Sequence, residues 1–155
     1  RCDAELRARA APFPIAAGVC TFIERLSPTE TLELQRSADA LVLFNYTVPA
    51  AAGGTLSFPA KSFEYLNARR PILAIPRDPG GWGNALIDST RSGMAVDSID
   101  EIAGVIEGWR RRWRATEALP YEGDDAAIAR YGQPAQAAAL AGLLDGAVQG
   151  TTVKR

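Results

Sequence analysis

Short, largely apolar runs recur along the chain at Val19–Ile23, Leu41–Phe44, Ile72–Ile75 and Gly93–Asp97. Leu41–Phe44 and Ile72–Ile75 contain no polar residue, which is the pattern of strands covered on both faces in a parallel sheet. The stretches between the runs are long enough for helices. Ser27 or Thr29 can cap one that ends near Ala38, with Leu32 and Leu34 as its apolar positions. Pro59 suits a helix start, and no breaker follows from Ala60 to Arg70. Pro71 then stops that helix by excluding the α conformation from the residue before it, so Arg69 and Arg70 are expected in its last turn, against the helix dipole. Asn84 can cap a short helix reaching Arg91. Ser98 can cap a long one, with Ile99, Ile102, Val105, Ile106 and Trp109 spaced for one buried face.

The ends of the chain read as helical too. Asp3 to Ala11 forms a short helix stopped by Pro12 and Pro14, and helices follow over Asp124–Tyr131 and Pro134–Val148. Leu140, Leu143, Leu144 and Val148 are the expected packing stripe of the last one, and Thr151–Arg155 a frayed tail. Strands that alternate with helices predict right-handed βαβ crossovers and an α/β fold.

Chemistry concentrates on the helix after Pro59. Phe63 and Leu66, three apart, can face the sheet, while Lys61 and Glu64 share another face near the helix start. First-turn N–H groups, with the positive end of the dipole, favour a phosphate, and a carboxylate there can accept hydroxyl hydrogen bonds. The plain alternative is a surface Lys61–Glu64 ion pair contributing a few tenths of a kcal/mol, roughly. Thr47–Phe58, with Gly53-Gly54-Thr55 and Ser57, is a long loop after a strand. It is a candidate site wall, although neither a Walker A nor a G-x-G-x-x-G sequence is present. The connection Pro76–Asn84 leaves the sheet at the same edge, and its Trp82 reads as packing before it reads as a pocket wall.

The segment Pro59-Ala-Lys-Ser-Phe-Glu-Tyr-Leu, followed by Ala68-Arg-Arg-Pro-Ile-Leu-Ala-Ile75, resembles the Pro-Gly-Lys-x-x-Glu-Tyr-Leu region in the C-terminal nucleotide-sugar-binding domain of GT-B glycosyltransferases (group 1, family 4-like). The resemblance extends from about Val19 to Leu144. It implies a Rossmann-like three-layer α/β/α donor-binding domain over residues 1–150, and retaining, metal-independent transfer of a sugar from a nucleotide diphosphate sugar to an acceptor. It also implies an acceptor-binding lobe upstream of this chain, no bound cofactor, and no catalytic residue within the chain, which alone would be inactive. Glu64 matches the glutamate that holds the ribose hydroxyls. Ala60 and Lys61 fall where backbone N–H groups meet the diphosphate, with Ser57 beside them, and Arg25 and Leu26 lie in the loop placed against the base. Two features depart from the family pattern. The first glutamate of its Glu, seven residues, Glu motif is Leu56 here, and the strand and loop that carry a basic phosphate ligand are missing. Lys61 or Arg77 is the candidate substitute cation. A related nucleotide-sugar epimerase lobe and a non-catalytic interaction module are the alternatives.

Composition narrows the partners. A chain of 155 residues, 47% hydrophobic, can bury one sizeable core, and its start at Arg1 leads us to expect a fragment of a longer protein. A net charge of −1 offers no basic surplus for nucleic acid. Two cysteines, Cys2 and Cys20, are too few for a disulfide framework and fit a reducing cytoplasm. No apolar run approaches the roughly 20 residues that span a bilayer. Trp109-Arg-Arg-Arg-Trp113-Arg114 could touch a membrane surface peripherally, but Glu101 and Glu107 on the same helix favour a solvated face. High alanine and arginine usage is associated with bacterial sources.

Overall fold

A computed structural model describes residues 21, 23, 25–45, 60–77 and 81–151. The chain divides into two compact units, Arg1–Leu34 and Gln35–Arg155. Helix α1 (Pro28–Ser37) starts in the first, where Ser27 caps it: the Ser27 Oγ accepts from the Glu30 N–H at 3.3 Å while the Glu30 carboxylate accepts from the Ser27 N–H at 2.8 Å. Pro28 occupies the first helical position, where its missing N–H costs nothing. Leu34 is 44% exposed. The helix expected over Asp3–Ala11 lies outside the described residues. Of the strand expected over Val19–Ile23 only Thr21 and Ile23 are described, and neither is in a strand.

The second unit is α/β. Its sheet is parallel and three-stranded, in the order β1 (Leu41–Phe44), β2 (Ile72–Ile75), β3 (Gly93–Ala95). Leu41 pairs with Ile72 and Ile72 with Gly93. Helix α2 (Lys61–Ala68) joins β1 to β2, and α3 (Trp82–Thr90) joins β2 to β3. Right-handed crossovers between strands laid down in sequence order carry both helices to one face of the sheet. The core lies there: Leu43, Ile72 and Ala74 from the strands meet Leu66 of α2 and Leu86 and Ile87 of α3. Each such leucine or isoleucine contributes about 1.5–3 kcal/mol on burial.

The sheet departs from the expected double coverage at its edge. In β1, Leu41 and Leu43 are buried, but Val42 is exposed and Phe44 is 72% exposed. The central strand β2 comes nearer the covered character that both runs predict, with Ile72, Leu73 and Ala74 buried and Ile75 half-buried.

Helix α2 corrects two further expectations. Ser62, Leu66 and Ala68 are its buried residues, and Phe63 is 47% exposed, its ring 6.3 Å from that of Tyr131. The helix also stops two residues early. Arg69 adopts the left-handed conformation (φ 54°) and sends its N–H to the Leu66 carbonyl, so neither Arg69 nor Arg70 belongs to the last turn. Arg69 pairs with Asp125, and Arg70 Nε donates to the Arg36 carbonyl at 2.8 Å.

Helix α3 starts at Trp82 behind Gly81, not at Asn84, and Trp82 is 75% exposed. Helix α4 (Ile99–Thr116) carries the expected Ser98 cap as a full capping box with Glu101. Its expected buried face is only half-buried at Ile102, Val105 and Trp109, and Ile99 and Ile106 are exposed. Asp124 caps α5 (Asp125–Ala129), whose Ile128 packs with Tyr131 against the core. In α6 (Gln133–Thr151) the expected packing stripe is exposed throughout, Leu143 at 73%.

Candidate functional site

The sheet's carboxyl edge, where open α/β sheets bind ligands, is built by the ends of β1 and β2 and the starts of α2 and α3. Asn45, one residue past β1, donates its N–H to the Ile75 carbonyl at 2.7 Å and its Nδ2 to the Pro76 carbonyl at 2.8 Å, tying the two strand ends together. A Cβ on Gly83 would stand 3.0 Å from Asn45 Oδ1, so the first turn of α3 approaches this tie closely because residue 83 has no side chain. Asn84 is buried in the same turn, and among the described residues its Oδ1 finds no hydrogen-bond partner.

Helices α2 and α3 have no side-chain cap. Ala60 and Gly81, at the cap positions, accept nothing through their side chains, whereas Ser98 and Asp124 close the first turns of α4 and α5. The cap residue of α2 therefore offers its first N–H groups no side-chain acceptor, at the positive end of the dipole. Lys61 and Glu64 are both exposed on this end of α2. No ion pair joins them among the described residues. The Glu64 carboxylate instead accepts from Gln35 Nε2, at 3.1 Å on Oε2. Burial, and then the Glu64 charge, push the Tyr65 phenol above its ordinary value.

The sequence-predicted residues thus separate. Ala60, Lys61 and Glu64 come together on the first turn of α2. Arg25 and Leu26 belong to the first unit, immediately before α1. Ser57, with Leu56 and the Gly53-Gly54-Thr55 loop, lies outside the described residues. Arg77 is turned away from this end: its Nε and Nη2 donate to the Ala95 carbonyl at 3.1 and 2.9 Å, and Nη2 lies 3.2 Å from Glu101. That guanidinium forms one wall of an open cleft of about 500 Å³ between β3 and α4, which Met94, Val105, Trp109 and Arg112 also line. Ala60, Lys61 and Glu64 are not among the residues that line that cleft.

Two residues of this region carry no sequence signal of their role. Gln35 follows Leu34 in an ordinary amphipathic stretch, and its burial depends on a helix 29 positions away. Asn45 looks like any polar residue that ends a strand. Among the described residues no group of His, Cys, Asp and Glu is placed to hold a metal ion, and no helix is long and apolar enough to cross a membrane. Comparison with known protein families, curated proteins and solved structures gives no match to this chain.

Proposed function

We propose that this chain is the donor nucleotide-sugar-binding domain of a glycosyltransferase, a Rossmann-like three-layer α/β/α lobe of the GT-B type. The observation that carries the reading is the start of α2: a helix N-terminus without a side-chain cap, directed from the carboxyl edge of a parallel sheet, with an exposed carboxylate one turn in at Glu64. That pairing suits a nucleotide diphosphate. The N–H groups of Lys61 and Ser62 would receive diphosphate oxygens and the Lys61 ammonium would offset their charge. Glu64, accepting only, would take the two ribose hydroxyls. The likeness of Pro59–Leu66 to the GT-B segment supports the same assignment. Arg77 is committed to Ala95 and Glu101, and Lys61 is the cation on the first turn of α2. Sugar transfer itself requires an acceptor lobe that this reading places outside the chain.

A second reading, an interaction module of the same shape, is favoured by the exposed leucines of α6. Isothermal titration of the chain with UDP, GDP and ADP separates the two. Saturable binding of one nucleotide, weakened by about 1–2 kcal/mol in Glu64→Ala, supports the donor domain and identifies its base. A folded protein that binds none of the three favours the interaction module.

A further inference from the structure

We propose that Gln35 is a positioning residue, holding the Glu64 carboxylate in the orientation that receives the ribose hydroxyls; the inference rests on the nucleotide-binding reading above. Gln35 is 8% exposed, near the end of α1, and it sends Nε2 to Glu64 Oε2 at 3.1 Å. A carboxylate offers no proton, so the amide end facing it must be the nitrogen. The backbone beside Gln35 is itself anchored, because Arg70 Nε donates to the Arg36 carbonyl. Glu64 is otherwise an exposed side chain with several rotatable bonds, and a donor from a fixed neighbour removes that freedom before a ligand arrives.

The other end of the amide argues that stability is not what Gln35 serves. Among the described residues its buried Oε1 finds no hydrogen-bond partner. An orphaned buried acceptor carries a desolvation cost that an apolar side chain of the same length avoids. Methionine fills the same space without that cost, so Gln35→Met should leave folding unchanged or improved while ligand binding declines. A residue with a purely structural role would move both in the same direction.

The test is a double-mutant cycle on the 155-residue chain. Affinity for UDP, GDP and ADP is titrated in wild type, Gln35→Met, Glu64→Ala and the double variant, and urea unfolding is followed for each; Gln35→Leu repeats the comparison with a different apolar shape. Gln35→Met is expected to lose roughly five- to tenfold in affinity when Glu64 is present and nothing further when it is absent, with its unfolding midpoint equal to or above wild type. Equal losses in both backgrounds, or no loss where Glu64→Ala does weaken binding, overturn the positioning role alone. Failure of folded wild type to bind any of the three nucleotides removes the donor-domain reading and this inference with it, and is seen before any variant is made.

Discussion

A Cβ on Gly93 would lie 1.9 Å from the carbonyl oxygen of Ile72, its register partner across β2 and β3. No flexible side chain can yield there, because the obstructing atom is the backbone of the central strand. Gly93→Ala must therefore displace β3, and we expect a loss of about 2–4 kcal/mol in urea unfolding. Gly104 is the contrasting case: nothing lies within 4 Å of a Cβ on it, it sits inside α4, and Gly104→Ala should gain about 0.5–1 kcal/mol.

Leu66 and Phe63 look equivalent in the sequence and are not equivalent in the fold. Leu66 is 2% exposed and central to the core, so Leu66→Ala should cost about 2–5 kcal/mol. Phe63→Ala, at a side chain nearly half exposed, should cost less than half as much in the same measurement. Equal losses would mean that α2 lies on the sheet through a different face.

The capping box of α4 should make part of the protein's stability depend on acid. The Glu101 carboxylate is held below the ordinary glutamate range, first by the Asp97 N–H and then by the Ser98 N–H, which it accepts at 2.8 and 3.2 Å. A folded-state pKa that is lowered gives stability present above the unfolded value and lost as pH falls through the folded one. The melting temperature should therefore decline from roughly pH 5 downward, and decline less steeply in Glu101→Gln. Removing the other half of the box, Ser98→Ala, should cost about 1 kcal/mol at neutral pH.

Lys61 and Arg77 part company in the structure, and variants of each should show it. Arg77→Ala frees the Ala95 carbonyl and Glu101, so it should lower stability and leave nucleotide affinity close to wild type. Lys61→Ala, at an exposed first-turn position, should leave the unfolding midpoint within about 0.5 kcal/mol of wild type and weaken UDP, GDP or ADP binding severalfold in titration. The reverse assignment would return Arg77 to the candidate site.

Much of the local architecture is written where the governing physics is local. Leu41–Phe44 and Ile72–Ile75 form strands with the residues their apolar runs delimit. Ser27 with Glu30, and Ser98 with Glu101, close helix starts because a hydroxyl three residues before a glutamate satisfies both backbone donors by itself. Helix ends were harder to see. Helices α2, α3 and α4 stop at left-handed Arg69, Arg91 and Glu117, with φ of 54°, 51° and 54°. Glycine is the usual signal for that conformation, and none stands at those positions.

From Ser27 onward, sequence alone determined the types of the described helices and strands, the parallel alternation and the placement of Ala60, Lys61 and Glu64 on one helix turn, since each follows from spacing within a few residues. Tertiary structure decided the rest. Whether Ser62 or Phe63 accompanies Leu66 into the core depends on how the crossover lays α2 against β1 and β2. That the Glu64 carboxylate meets Gln35 rather than Lys61, and that Arg77 turns to Ala95 and Glu101, are choices among partners far apart in the chain. Those pairings exist only once packing has brought their elements together, and no local pattern encodes them.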